Sequence, residues 1–308
     1  MAFDKRIVAP KQRKWGVPWW MMLPGLGLLV LFMLWPILVS LYTSFTNLNV
    51  FYLANWLSAP FIGLANYLAM LTTTNPVGSQ FWLSLGNALI FTIAAIVVSV
   101  PLGTVAALAV HRSFQGRALF RVLFIVPYAI PAFVTGLLWH LMLLQGVGLV
   151  DHVLSFFNAS LGNTFWLIGP KSMVSLIAVN IWGTWPFMYL FAIGALQSVP
   201  EELYEAAKID GAGSWDLFRK ITVPTITRPL LIAIALSFIY HFNNFTTPFV
   251  LFGTTPPPAA TTLPLNIYLF GFSDMQFGAA TAMAIASMVV LIIPVVVYLR
   301  TFRVEEAA

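Results

Sequence analysis

The sequence predicts an all-α polytopic membrane protein. It would have six transmembrane helices, both termini in the cytoplasm, and a charged helical loop on that side between the fourth and fifth helices. Three observations predict this. First, 60% of the 308 residues are hydrophobic and only 8% are charged, with a mean hydropathy of +0.89. A soluble domain carries about a quarter charged residues, so this chain cannot cover a water-facing surface with polar groups. Second, six apolar runs are each long enough to cross about 30 Å of hydrocarbon. Third, the basic residues sit at alternate ends of those runs. A net charge of +5 arranged this way is a topology signal, and no nucleic-acid partner is expected. Cysteine is absent, so there is no disulfide framework and no thiolate site.

Taken in order, residues 1–18 hold Lys5, Arg6, Lys11, Arg13 and Lys14 and read as a basic cytoplasmic segment. The first run, 19–45, is too long for the apolar region of a signal peptide, and no small-residue cleavage site ends it. The others are 87–110, 119–144, 173–196, 229–251 and 277–299. None of the six contains Asp, Glu or Lys, and their one Arg is Arg121, at the start of the third. A membrane β-barrel would instead show short alternating segments separated by turns, so the spans are helices that satisfy their own backbone. Residues 300–308 form a short tail, and 19–299 read as one transmembrane domain.

Arg112 and Arg117 lie between spans two and three, with Arg121 at the very start of span three. Lys208, Arg219, Lys220 and Arg228 lie between four and five, and Arg300 and Arg303 follow span six. With the N-terminal segment, these regions hold 14 of the 15 basic residues; Lys171 is the exception. The bias places all four regions in the cytoplasm. The segment 46–86 has no charge and many aromatics, and is expected to pack on protein or lie at the lipid interface.

Eight charged residues crowd into 201–220, "EELYEAAKIDGAGSWDLFRK". Ser198 and Glu201 have the spacing of a capping box with Pro200 in the first turn. Gly211 and Gly213 are expected to stop the helix in the left-handed region. Ser214 would cap a second helix, 215–222, ending before Pro224. A solvated amphipathic loop and a docking element for a cytoplasmic partner both fit.

Two span segments are polar or broken. In "WGTWPFMY", 182–189, Pro186 frees a carbonyl, and Gly183 and Thr184 can re-satisfy the backbone or open a cavity. In "SFIYHFNNF", 237–245, Ser237, Tyr240, His241 and Asn244 share one helical face. Hydroxyl and amide groups beside aromatic rings suit a neutral sugar; a polar seam between helices is the other reading. Pro127 and Pro131 break span three, as a hinge or a static kink. In "GTTPPPAATTLP", 253–264, proline is expected to enforce extended backbone. His140 reads as a satisfied interfacial histidine, Asn243 as a helix–helix contact, and no metal site is expected. There is no G-x-x-x-x-G-K loop followed by Ser or Thr, so the chain does not itself cradle ATP. No intramembrane carboxylate is present to bind a driving proton, and no catalytic constellation appears.

"EAAKIDGAGSWDLFRKITVP" resembles the EAA loop of ABC-importer permease subunits. Glu205, Ala206, Ala207 and Gly211 match directly, and Ile221 and Pro224 match the closing part, with Val223 where Leu is commoner. "FIGLANY", "LFIVPYAIPAFVTGLLW", "FNNF" and "FGAATAMA" are similar to the carbohydrate branch, nearest the larger permease of maltose-type importers in a compact six-span form. Extra N-terminal spans and a large extracytoplasmic insertion of the best-known member have no counterpart here. The resemblance implies a multi-pass bacterial or archaeal inner-membrane subunit of a sugar importer, for a di- or oligosaccharide. Its partners would be a second homologous permease, two ATP-binding subunits that hold ATP and Mg, and an extracytoplasmic sugar-binding protein. It implies that 200–224 carries a coupling helix seated in the ATPase through Glu205, Ala206, Ala207, Asp210 and Gly211. It carries sugar contact over to Gly183, Thr184, Phe187, Ser237, Tyr240, His241 and Asn244. A glycerol-phosphate or other polyol importer, and a self-sufficient secondary transporter, are the alternatives.

Overall fold

The computed structural model describes residues 19–306 except 112 and 159–163. The basic segment 1–18, Arg112, the end of the C-terminal tail and the side chain of Arg303 therefore lie outside the described residues. Among the described residues all regular elements are helical, apart from an isolated antiparallel bridge between Thr46 and Phe61.

The long apolar helices are α1 (Trp20–Thr43), α3 (Pro76–His111), α7 (Lys171–Gln197), α9 (214–242) and α12 (Phe277–Glu306). Shorter elements lie between them: α2 (Ala65–Leu71), α4 (Arg117–Ala129), α5 (Ala132–Met142), α6 (Leu149–Phe157), α8 (Glu201–Ile209), α10 (Thr246–Phe252) and α11 (Leu263–Ser273). Among the described residues five helices are long and apolar enough to cross a bilayer, or six if the pair α4 and α5, bent by 89°, is one span. Span three is thus broken at Pro131, as expected from its two prolines, whereas Pro127 stays inside α4. Ile130 precedes a proline and is extended, with φ −79° and ψ 129°, because a helical residue there would clash with the ring.

Other boundaries move as well. α3 starts at Pro76, well before the expected 87. Asn75 Oδ1 accepts from the Gly78 N–H at 2.9 Å, so Asn75 caps the helix and Pro76 takes the first position, where its missing N–H costs nothing. The expected capping box is not made. Pro200 is the N-cap of α8, and Ser198 Oγ instead donates to the Ala195 carbonyl at 2.8 Å, closing α7. The helix expected at 215–222 does not end before Pro224. It begins at Ser214, passes through a π turn at Phe218–Thr222 and continues to Phe242. A proline is tolerated where a wide turn precedes it and lifts the carbonyl away from the ring. The 253–264 segment is not wholly extended: Pro258–Ala260 form a 3-10 turn, and Asn87 Nδ2 donates to the carbonyls of Pro258 and Thr261 at 2.8 and 3.0 Å.

α3 and α7 pack along each other at the centre. Lipid offers apolar side chains as good a home as another helix does, so close van der Waals fit drives the contact and small residues gather there. Ala106, Ala107, Ala192 and Ala195 are buried with Val110, Ile193 and Leu196 around Tyr189. Gly103 faces the backbone of α7, where an added Cβ would stand 2.6 Å from the Tyr189 nitrogen. α1 is the opposite case, with its apolar side chains exposed along its length; its end touches α12 through Thr43 and Thr281 hydroxyls 3.4 Å apart. Before α7, the chain is held by Asp151, which is buried and accepts from Trp166 Nε1 at 2.6 Å and the Gly146 N–H at 2.8 Å.

Candidate functional site

Two interrupted helices meet near the middle of the bundle. One interruption is the α4–α5 bend at Ile130 and Pro131. The other follows α9, whose helix ends at Asn243 (φ −87°, ψ 5°); α10 restarts at Thr246. Backbone freed from helical bonding inside a membrane protein is tolerated where it is buried in protein or lines a cavity. α7 passes both interruptions unbroken despite Pro186, and Thr184 Oγ1 donates to the Asn180 carbonyl at 2.7 Å.

Between these elements lies a cavity of about 370 Å³. Tyr128 and Thr135 line it from the two halves of the bent pair, and Asn180, Gly183 and Thr184 from α7. Tyr240 and Thr247 close it on either side of the second interruption. No lining residue carries a charge. The Thr135 hydroxyl is buried with no hydrogen-bond partner. Such a wall offers hydroxyl and amide groups next to two phenol rings, which suits an uncharged, oxygen-rich ligand.

Behind the wall runs a chain of hydrogen bonds. Asn180 Nδ2 and His241 Nδ1 are 3.0 Å apart, Asn244 Nδ2 donates to Asn180 Oδ1 at 2.9 Å, and the Thr247 N–H donates to Asn244 Oδ1 at 3.0 Å. Of the residues singled out from the sequence, Gly183, Thr184 and Tyr240 line the cavity. His241 and Asn244 stand one layer behind, holding Asn180. Ser237 is buried one turn before Tyr240. Phe187 lies a turn along α7, with its ring 6.3 Å from Tyr128 and 4.9 Å from Phe191. Asn180, Thr135, Tyr128 and Thr247 were not singled out. Asn180 was findable, since it precedes Gly183 and Thr184 by three and four residues and so shares their face. Thr135 and Thr247 carry no comparable local signal. Of the lone polar residues, His140 Nδ1 meets the Leu251 carbonyl at 2.8 Å, whereas Asn243 is exposed and bonds back to Ile239 of its own helix at 3.0 Å, not to a neighbour. Among the described residues no cluster of metal ligands occurs.

The charged segment folds as a hairpin of α8 and the start of α9. Gly211 has φ +83°, the left-handed region that only glycine enters without a side-chain clash. The Ala212 N–H bonds to the Ala207 carbonyl at 2.9 Å and the Gly211 N–H to the Lys208 carbonyl at 3.0 Å, a Schellman ending. Gly213 does not share that conformation; it is the extended N-cap of the next helix, at φ −73°. Tyr204 and Thr222 hydroxyls meet at 3.1 Å across the hairpin. Lys220 Nζ lies 2.8 Å from Asp216 Oδ1, and that hydrogen bond holds the Asp216 carboxyl below the usual carboxylate range. Glu205, Ala206, Asp210 and Gly211 are exposed and Ala207 is half-buried. Beside them Ile209 is 86% and Trp215 69% exposed, so the hairpin tip mixes charge with large apolar groups.

A family model described as "Binding-protein-dependent transport system inner membrane component" matches residues 99–302. The chain is 30% identical over 297 residues to the trehalose/maltose transport system permease protein MalF of Thermococcus litoralis, covering 95% of this chain and 96% of that one. It is 29% identical over 277 residues to the sn-glycerol-3-phosphate transport system permease protein UgpA of Agrobacterium fabrum, covering 90% and 91%. Among solved structures, a chain of a bacterial ABC transporter that imports the acidic polysaccharide alginate superposes with a TM-score of 0.79, at 22% identity, covering 92% of this chain and 94% of that one.

Proposed function

Because this chain belongs to the family of inner membrane components of binding-protein-dependent transport systems, we propose that it is a permease subunit of an ATP-driven importer of a di- or oligosaccharide. In this reading it forms half of the translocation path and pairs with a second, homologous permease. Two ATPase subunits, which carry ATP and Mg, sit on the cytoplasmic side, and an extracytoplasmic binding protein delivers the sugar. The transmembrane domain is 19–299, and both termini are cytoplasmic. The α8 hairpin, within 200–224, is the coupling helix, presenting Glu205, Ala206, Ala207, Asp210 and Gly211 to the ATPase.

The observation that carries the substrate class is the uncharged, hydroxyl- and amide-lined cavity at the two helix interruptions. In this proposal Gly183, Thr184 and Tyr240 touch the sugar, Phe187 backs Tyr128, and Ser237, His241 and Asn244 support the wall. A sugar needs donors and acceptors for its hydroxyls and an aromatic face for its C–H groups, and the wall supplies both. A glycerol-phosphate substrate is the second reading, favoured by the similarity to UgpA. The lack of Lys or Arg among the lining residues weighs against a phosphate.

The test is isolation of the tagged protein from native membranes in mild detergent, with intact masses of what accompanies it. The wild type should bring down an ATPase and a second permease. A Glu205→Ala, Gly211→Pro double variant should keep the permease and lose the ATPase. A wild type that purifies alone, under conditions that keep known transporters assembled, would defeat the importer reading. Retention of the ATPase by the variant would defeat the assignment of the hairpin.

A further inference from the structure

The hydrogen bonds behind the cavity have one consistent direction. The Thr247 N–H is a backbone donor, so the Asn244 atom it meets at 3.0 Å is the oxygen. The Asn244 nitrogen then faces Asn180 at 2.9 Å, which makes the Asn180 atom there its oxygen. The Asn180 nitrogen is left facing His241 Nδ1 at 3.0 Å. An amide nitrogen can only donate, so Nδ1 holds a lone pair and the hydrogen of a neutral ring sits on Nε2. Turning over either amide would set two donors against each other, and a hydrogen on Nδ1 would do the same.

We infer that His241 is a positioning residue of the substrate cavity: as the Nε2–H tautomer it anchors the Asn180 amide. One amide hydrogen of Asn180 is held by the ring, and the second is left to donate to a substrate oxygen. This rests on the reading of the cavity as the sugar path, and it gives His241 a role through Asn180 instead of direct contact. The cavity lining agrees: both side chains are buried, His241 at 2% and Asn180 at 3% exposure, but Asn180 is the one that lines the cavity. The ring is held edge-on to Phe91, with centroids 6.2 Å apart and planes at 85°, and lies 5.4 Å from the Tyr240 ring. The anchored chain also ties α7 to both sides of the α9–α10 interruption, so the amide keeps its setting only while those helices keep theirs. The ligand group that matches is an acceptor oxygen, a sugar hydroxyl or ring oxygen; an ammonium group has no lone pair to offer the amide.

Two measurements test this on the assembled transporter. The first is nitrogen NMR of the complex labelled with 15N-histidine and held in lipid nanodiscs, with the His241 signals identified by their loss in His241→Asn. The expected result is a bare Nδ1 and a protonated Nε2; a protonated Nδ1, alone or in a doubly protonated ring, overturns the inference. The second is uptake of maltose and of trehalose by proteoliposomes supplied with the binding protein. His241→Leu should raise KM about tenfold, the effect of one misplaced hydrogen bond. His241→Asn places an acceptor oxygen where Nδ1 stood and should return KM to within about twofold of wild type. An unchanged KM in an assembled His241→Leu complex, or no recovery with His241→Asn, overturns the role. A wild type that carries neither sugar would count against the sugar reading; the tautomer, measured without any sugar, would still decide the anchor.

Discussion

At Gly183 a single methyl group separates an open cavity from a partly filled one. A Cβ there would meet Thr135 Cγ2 at 3.8 Å, ordinary van der Waals contact, so Gly183→Ala fits without forcing its neighbours apart and takes its volume from the cavity. We expect KM for the imported sugar to rise roughly tenfold, the usual effect of one methylene in a shaped pocket, with the melting temperature of the complex unchanged. Uptake kinetics beside a thermal melt check this; a lowered melting point with unaltered KM would make Gly183 a packing residue. At this scale the sequence exposed only part of the wall. Gly183, Thr184 and Tyr240 were visible because polar or small residues stand out inside apolar runs. Thr135 escaped because one threonine in an apolar helix is ordinary, and only the bend at Pro131 turns it toward the cavity. His241 and Asn244 were visible as polar residues, yet whether they face a ligand or a neighbouring amide depends on Asn180, more than 60 residues away.

Elements show where local chemistry prevails and where it yields. The Schellman ending at Gly211 is a local device, and glycine with its flanking spacing revealed it. Pro224 is the reverse. Read locally it ends a helix, yet 214–242 is continuous, spanning about 40 Å at 1.5 Å per residue. That continuity joins the charged hairpin to the turn at Asn243 beside the cavity, and in the proposed function this one helix would carry movement of the hairpin to the cavity wall. The α3–α7 contact sets the other limit. Gly103→Leu would drive a side chain into the Met188 and Tyr189 backbone, and overpacking of this kind costs about 1–3 kcal/mol or more. The expected outcome is a lower melting temperature and poor assembly in detergent, measured by size exclusion. An assembled Gly103→Leu complex with wild-type melting would mean that the two helices are not held at this distance.

For the whole molecule the main asymmetry is charge. The basic residues gather on one side of the predicted spans, and the absence of cysteine makes this simple to test with single introduced thiols. Thr73 lies between α2 and α3 and Ser214 in the hairpin, and both are exposed. A membrane-impermeant maleimide should label Thr73→Cys on intact cells, and Ser214→Cys only after the membrane is opened. The reverse pattern would invert the orientation. The same charge distribution explains why the hairpin stands out: it gathers charge that the spans exclude, beside exposed Ile209 and Trp215.

The sequence by itself determined that the chain is a helical membrane protein, where its apolar runs lie, and which segment carries the importer-like motif. These follow from sums over neighbouring residues: transfer of some 20 side chains into hydrocarbon, a charge bias at run ends, a glycine at a fixed offset. The tertiary structure alone decided how sharply span three bends, by 89°, that the helix after Gly213 runs through Pro224, and which polar side chains share one cavity. Those depend on contacts between segments distant in the chain, where a backbone interruption is stable only if another helix buries it or a cavity receives it.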